Sequence, residues 1–205
     1  KNELMALIEQ SAKAELDALV AGLNGRHVAA GPGNDPIRNP DSLPTGRNVY
    51  GFDPARMPTP GTWDQGRKLA EKFVTDYRQR HGQFPDRVVF NLWSVEAMRH
   101  EGVTEAEIMA LLGVRPIWDE RGRTAGVEVI SRKELGRPRV DVTIVPSGLY
   151  RDSQPNMMKL LDEAISAVKD LPEDDNAVRA NVVKTRKALE EKGIPAEDAK
   201  RMAAV

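Results

Sequence analysis

Apolar residues recur at helical spacing at the start of the chain: Leu4, Leu7, Ile8, Leu16, Leu19, Val20 and Leu23 fall on one side of a 3.6-residue repeat. The pattern predicts a helix over residues 3–24, with Gly25 as its left-handed stop. From Gly31 to Pro60 the periodicity disappears, and this stretch holds seven of the fourteen prolines. Composition alone admits a linker there. The stretch also carries Ile37, Leu43, Val49, Tyr50, Phe52 and Met57, apolar residues that a free linker does not need. An ordered loop wrapped on a surface is the reading that uses them.

Periodicity returns after Thr62 and Gln65, a capping-box pair, with Leu69, Ala70, Phe73, Val74 and Tyr77 on one face before His81 and Gly82 end the pattern. Residues 87–93 (RVVFNLW) then read as a buried strand. Thr104 with Glu107 offers a second capping box, and Ile108, Leu111 and Leu112 lead to Gly113 as a helix stop. Residues 114–118 and 127–130 are short strand candidates, 140–145 (VDVTIV) is a stronger one, and 157–168 is helical. Strands alternating with helices predict an α/β fold with a mostly parallel, Rossmann-like sheet and flanking helices. In such a sheet the loops beyond the strands' carboxyl ends bind ligands, which puts residues 94–103 and 146–156 on one functional edge.

After the break at Pro172 to Asp175, Asn176 is a candidate N-cap for a helix to about Lys192, and Pro195 suits the first turn of a last short one. The apolar stripe of Val178, Val182, Val183 and Leu189 is narrow, so a helical hairpin packing on other parts of a longer chain is expected. Three segments result: 1–60, an N-terminal helix and Pro/Gly-rich loop; 61–171, the Rossmann-like domain; and 172–205, the helical extension.

Composition narrows the function classes. Lys and Arg number 30 against 31 Asp and Glu, a net charge of −1, so no global basic field draws in nucleic acid. No apolar run approaches the roughly 20 residues of a membrane span. The absence of cysteine removes disulfides, thiolate zinc sites and thiol nucleophiles, and suits the cytoplasm. The chain starts at Lys1 with an amphipathic helix pattern and no signal-peptide core, and reads as a piece of something longer.

Several chemistries lack their motif. No G-x-x-x-x-G-K-[ST] is present, so any ATP is expected on another subunit. Gly31-Pro32-Gly33 follows a helix, not a strand, and lacks the third glycine of a dinucleotide loop. His27, His81 and His100 have no metal-pair spacing, and Ser147 sits in no nucleophile elbow. What remains is Glu96, Arg99, His100 and Glu101, crowded beyond the strand that ends near Trp93. They form either a solvated turn or a functional loop. Arg151 with Asp152 follows the strand ending near Val145, and Arg38 and Arg47 lie in the proline-rich loop. Arginine presents a rigid fork of donors, so these residues either pair with nearby acids or converge on a ligand bearing several carboxylates.

Read together, Gly31-Pro32-Gly33-Asn34-Asp35-Pro36-Ile37-Arg38-Asn39-Pro40 and Leu43-Pro44-Thr45-Gly46-Arg47-Asn48 resemble the signature of the CobN and magnesium-chelatase large-subunit family. The resemblance continues through Leu92-Trp93, Leu112-Gly113-Val114-Arg115-Pro116, Glu134-Leu135-Gly136-Arg137-Pro138-Arg139-Val140-Asp141, Ser147-Gly148, Arg151-Asp152 and Pro155-Asn156. It covers about residues 20–170.

The resemblance implies a segment of the large subunit, which holds a tetrapyrrole while separate AAA+ partners hydrolyse ATP and Co²⁺ or Mg²⁺ is inserted as substrate. Ser94-Val95 replaces the Gly-Thr that usually follows the family's Trp, and Val103 replaces an acid found in magnesium-type members, with Glu101 or Glu105 as neighbouring substitutes. The Met98-Arg99-His100-Glu101-Gly102 run is more similar to the cobalt-type branch, which metallates a corrin precursor in cobalamin biosynthesis. By that resemblance Glu101 and His100 are the proton acceptors. Arg38, Arg47, Asn48, Arg99, Arg151 and Asp152 hold the ligand, no metal is resident, and the remainder of the parent chain completes the enzyme. Metal insertion then belongs to the full-length chelatase, and the isolated segment is inactive. The alternatives are a non-catalytic α/β scaffold or docking module of the same complex, or a magnesium-porphyrin chelatase segment. Convergence of loops 31–60, 94–103 and 146–156 on one cleft separates ligand site from scaffold.

Overall fold

The structure, a computed structural model, describes residues 2–33, 36, 40–51 and 53–203. Within it the chain divides into two compact units, residues 1–53 and 54–205. In the first, α1 (Asn2–Leu23) is followed by a short parallel pair, β1 (Gly31–Pro32) and β2 (Asn48–Tyr50). The proline-rich loop is seated on α1: the Thr45 N–H donates to Ser11 Oγ at 3.0 Å and its hydroxyl donates to Glu15. Gly46 is required there. Its φ is 106°, and a Cβ would lie 2.7 Å from the Ala14 backbone. Of the apolar residues expected to seat the ordered loop, Leu43 is buried and Val49 is exposed; Ile37 and Phe52 lie outside the described residues.

The second unit begins with α2 (Pro60–His81). Its cap is Thr59 and not the expected Thr62: Thr59 Oγ1 accepts the Thr62 N–H at 3.2 Å, and Pro60, with its φ preset, takes the first helical position. Gly82 ends the helix in the left-handed conformation, as its sequence position predicts. The chain continues through β3 (Arg87–Leu92), α3 (Ser94–His100), α4 (Val103–Leu112), β4 (Val114–Trp118), β5 (Thr124–Val129), α5 (Arg132–Leu135) and β6 (Asp141–Pro146). It ends with α6 (Gly148–Ser153), α7 (Pro155–Val168), α8 (Ala177–Glu191) and α9 (Ala196–Ala203).

The fold is α/β. Among the described residues, β1–β2 and β3–β6 pair in parallel and β4–β5 is an antiparallel hairpin. The register of β3 on β6 runs from Arg87 opposite Asp141 to Leu92 opposite Pro146, so both strands end at the same edge. The core centres on α4, whose Ala106, Ile108, Met109, Ala110, Leu111 and Leu112 are all buried. A helix apolar on every side needs partners all round, and α2, α7, β4 and β6 supply them. At its crossing with α2, Gly66 admits the backbone of α4: a Cβ there would meet Ala106 Cβ, Glu107 N and Val103 O at 2.6 Å.

The C-terminal hairpin forms as expected. Asn176 caps α8 by accepting the Arg179 N–H at 3.2 Å. It packs within the chain, on β6 and α7, with Asn181 donating to Asp141 at 2.9 Å, while Val183 and Met202 stay exposed. Among the described residues, no helix is long and apolar enough to cross a membrane.

Candidate functional site

The edge where β3 and β6 end is built by two short helices that the pattern of apolar residues does not announce. Ser94 to His100, expected to be loop, forms α3, and Gly148 to Ser153 forms α6, where Ser147 Oγ caps by accepting the Tyr150 N–H at 3.2 Å. The two are tied together. The Ser147 N–H donates to Leu92 O at 2.9 Å, and the Ser94 and Ser153 hydroxyls lie 2.6 Å apart. Residues 94–103 and 146–156 therefore share one edge, as the strand pairing requires.

Between α3 and α4 the backbone turns through two left-handed residues, Glu101 (φ 53°) and Gly102 (φ 85°). Glycine adopts that conformation freely; a glutamate is strained in it, and such strain is concentrated at functional sites. Among the described residues Glu101 is the sole non-glycine with positive φ. Gly102 has Met57 Cβ and Pro58 Cα at 3.2–3.3 Å from where a Cβ would stand, so the turn lies against that segment.

His100 holds the turn from inside. Its Nδ1 accepts the Val103 N–H at 3.1 Å, capping the first turn of α4, and its Nε2 lies 3.2 Å from Thr104 Oγ1. With Nδ1 accepting, the neutral ring carries its proton on Nε2. The Nδ1 lone pair of His100 is thus engaged in the cap. Glu101, half-buried beside it, has no such tie.

Arg99 and Arg151 stand at the same edge with exposed guanidinium groups. Arg99 donates to Glu96 at 2.8 Å and Arg151 to Asp152 at 3.0 Å. The Arg151 pair, exposed on both sides, contributes about 0–1 kcal/mol, too little to keep a better-matched carboxylate away. In the first unit, Asn48 is a stitch: its Nδ2 donates to Pro32 O at 2.6 Å and Ser42 O at 2.9 Å, and its Oδ1 accepts the Gly46 N–H at 3.2 Å. Arg47 lies over Gly31, where its side chain comes within 2.8 Å of a notional Cβ, and its backbone oxygen accepts the Gly31 N–H. Arg38 lies outside the described residues.

Behind the edge are buried polar groups that the one-dimensional pattern does not reveal. Tyr150, on α6, donates its hydroxyl to Glu105 Oε1 on α4 at 2.8 Å, and both side chains are buried. Burial pushes the Glu105 carboxyl above the ordinary carboxylate range, although the Tyr150 bond, a backbone bond and His100 pull the other way. Burial and the adjoining Glu105 also push the Tyr150 phenol far up, so it remains a donor. A signal for Glu105 existed: it precedes Ile108 and Leu112 by three and seven residues, on the buried face. At the other end of α4, Arg137 donates to Ala110 O and Leu111 O, and Arg139 to Leu112 O and Gly113 O. Two guanidiniums thereby satisfy the carbonyls that a helix C-terminus leaves open.

Comparison with known proteins extends the resemblance carried by the motifs to the whole chain. The family model described as CobN/Magnesium Chelatase matches residues 1–205. The aerobic cobaltochelatase subunit CobN of a Sinorhizobium species is 41% identical over 207 residues, covering 99% of this chain and 16% of that protein. The chloroplastic magnesium-chelatase subunit ChlH of Oryza sativa subsp. japonica is 38% identical over 178 residues, covering 85% of this chain and 13% of that protein. Among solved structures, the catalytic subunit of cobaltochelatase from Mycobacterium tuberculosis superposes with a TM-score of 0.74 at 37% identity, covering 97% of this chain and 17% of that one. The chain thus spans about a sixth of the length of such relatives.

Proposed function

The chain belongs to the CobN/magnesium chelatase family, and from that premise we propose that it is the part of a tetrapyrrole-metallating large subunit that presents a proton acceptor to the ring. The observation that carries this reading is the strained Glu101 turn, set beside the exposed arginine of α6 where β3 and β6 end.

Metal insertion requires the pyrrolic protons to leave and the cation to shed water. Glu101 is the acceptor, since its carboxylate is tied to no neighbour in the way that the ring of His100 is. His100 fixes the turn through Val103 and Thr104 and is the second candidate acceptor. At this edge Arg99, Arg151 and Asp152 orient peripheral carboxylates or amides of the macrocycle; Arg38, Arg47 and Asn48 are the ligand-holding candidates of the first unit, taken by themselves. The cation is substrate, and ATP is hydrolysed on AAA+ partner subunits. A cobaltochelatase-type reaction on a corrin precursor is favoured by the Met98 to Gly102 run and by Val103 where magnesium-type members carry an acid.

The test uses the full-length parent with its ATPase partners. Tetrapyrroles are titrated first, then Co²⁺ or Mg²⁺ is added and single-turnover insertion is followed by absorbance. Glu101→Gln should leave tetrapyrrole affinity nearly intact and slow insertion by about 10²- to 10⁴-fold, the usual contribution of a general base. Arg47→Ala should weaken tetrapyrrole binding by about 1.5–3 kcal/mol, the worth of a charge-assisted bond. A wild-type insertion rate for Glu101→Gln at saturating tetrapyrrole would withdraw the catalytic assignment and leave the chain a scaffold.

A further inference from the structure

Glu105 is an anomaly in the core. Its side chain is 1% exposed, Oε1 accepts the Tyr150 hydroxyl, and Oε2 has no hydrogen-bond partner. A buried polar atom without a partner is rare and calls for a reason. No cation neutralises it by contact. The groups that act on it electrostatically are Tyr150 from α6 and His100 from α3. The faces that α2 and α7 turn inward are uncharged: Thr62, Gly66, Ala70 and Val74 on one, Met157, Leu160, Leu161 and Ala164 on the other. Arg115 of β4 is engaged with Glu128 and Glu134, and Asp141 of β6 with Arg87 at the far end of that strand.

We infer that Glu105 is a positioning residue: its bond to Tyr150 ties α4 to α6, and so holds the His100–Gly102 turn in place against the helix that carries Arg151. Glu105 lies in the first turn of α4, one residue after Thr104, which contacts His100, and Tyr150 immediately precedes Arg151. The tie therefore runs directly between the two halves of the edge. Its importance for metal insertion rests on the function proposed above.

The chemistry makes the tie sensitive to pH. As a neutral acid Glu105 accepts from Tyr150 on Oε1 and carries its proton on Oε2. Gln154 Oε1, one helical turn after Tyr150, is likewise buried without a partner. Ionised, Glu105 leaves a bare oxygen anion in an apolar interior, and the least costly relief is to swing toward water, which opens α4 from α6. Burial biases the group toward the neutral form. Raising the pH should therefore loosen both loops together.

The experiment is hydrogen exchange by mass spectrometry on the full-length parent without tetrapyrrole, over the pH range in which the parent stays folded, corrected for the intrinsic exchange rate. In the wild type, protection of peptides covering residues 97–106 and 148–157 should fall together as the pH rises. Glu105→Gln keeps a neutral group with an acceptor and a donor, so it should hold both peptides protected and abolish the pH dependence. Tyr150→Phe removes the tie and also a bond that favours the carboxylate. It should lower protection about two- to tenfold at every pH, the worth of one hydrogen bond, and move the remaining pH-dependent step upward. Single-turnover insertion in the same proteins should lose rate on the alkaline side in the wild type relative to Glu105→Gln. An unchanged pH dependence in Glu105→Gln, loosening of only one peptide, or insertion indifferent to loops that loosen would each overturn the inference. Absent tetrapyrrole binding with the coupled loosening intact would instead count against the proposed function alone.

Discussion

Replacing Arg139 with Met should strongly destabilise the second unit. All five guanidinium N–H groups have acceptors: Leu112 O at 3.0 Å, Gly113 O at 2.8 Å, Ile130 O at 2.8 Å, and the two oxygens of Glu173 at 2.8 and 2.9 Å. The side chain is 0% exposed. Gly113 O keeps a partner in the Ile130 N–H, so the substitution strands two carbonyls and one carboxylate. Removing one member of a buried pair destabilises by about 3–5 kcal/mol. Glu173 retains some access to water, which argues for the lower half of that range. Urea unfolding followed by fluorescence of Trp63, Trp93 and Trp118, all in this unit, would register it. At a slope of about 2 kcal/mol/M the midpoint falls by roughly 1.5–2 M with the slope unchanged. Adding Glu173→Met should recover about 1–3 kcal/mol by removing the stranded charge, since an apolar replacement of a buried pair is tolerated better than half of one. A loss below about 1 kcal/mol for Arg139→Met, or no recovery in the double variant, would refute the assignment of this pair as the structural anchor.

Gly66→Ala should destabilise by about 1–3 kcal/mol through overpacking, and Ala106→Gly should not restore it, because two of the three atoms met by the new Cβ are α4 backbone; the paired urea midpoints decide. Glu107 is pushed above its ordinary value by burial, so its protonated form contributes stability below pH of about 4.5 that is lost as the pH rises to the folded value. Glu107→Gln should thus gain on the wild type across that window and stay ahead above it, which a thermal melt series from pH 4 to 8 would measure. Glu101→Gly should raise stability by up to about 1 kcal/mol by relieving the left-handed glutamate, net of the chain entropy of glycine, and abolish insertion. A destabilised Glu101→Gly would mean that the glutamate side chain anchors the turn.

The elements legible in the sequence are those with a local cause. Gly82, Gly113 and Asn176 mark helix ends because a positive φ or a side-chain cap is decided within four residues. The strand after Pro85 and the helix ending at Gly113 follow from apolar runs. Helices α3 and α6 are not legible because six or seven residues are too few for a 3.6-residue period to show. At α4 the capping box Thr104 to Glu107 misleads, because His100 takes the first free N–H and the helix starts at Val103. The pairs Arg139 with Glu173 and Glu105 with Tyr150 join residues 34 and 45 apart, and nothing in one sequence specifies a partner at that distance. Glu101, by contrast, stands out in the sequence by its place after a strand; its strain is a property only the backbone reveals.

The distribution of these features explains how a half-buried, strained turn can be held steady. Strain at Glu101 persists only if the surrounding structure over-determines it, and α4 is the element that does so. Its C-terminal carbonyls are fixed by Arg137 and Arg139, its side by Gly66 of α2, and its first turns by His100 and Tyr150. These attachments differ in kind. Those at the C-terminal end are permanently charged and backbone-directed, so changing them should alter stability and leave the form of any pH dependence alone. The attachment at Glu105 is a titratable group without a second partner, so changing it should alter how the edge responds to pH more than how firmly the unit folds. If Arg139→Lys shifted the pH response of the 97–106 segment as Glu105→Gln does, the two ends of α4 would not be separable in this way, and the helix would have to be treated as one cooperative support.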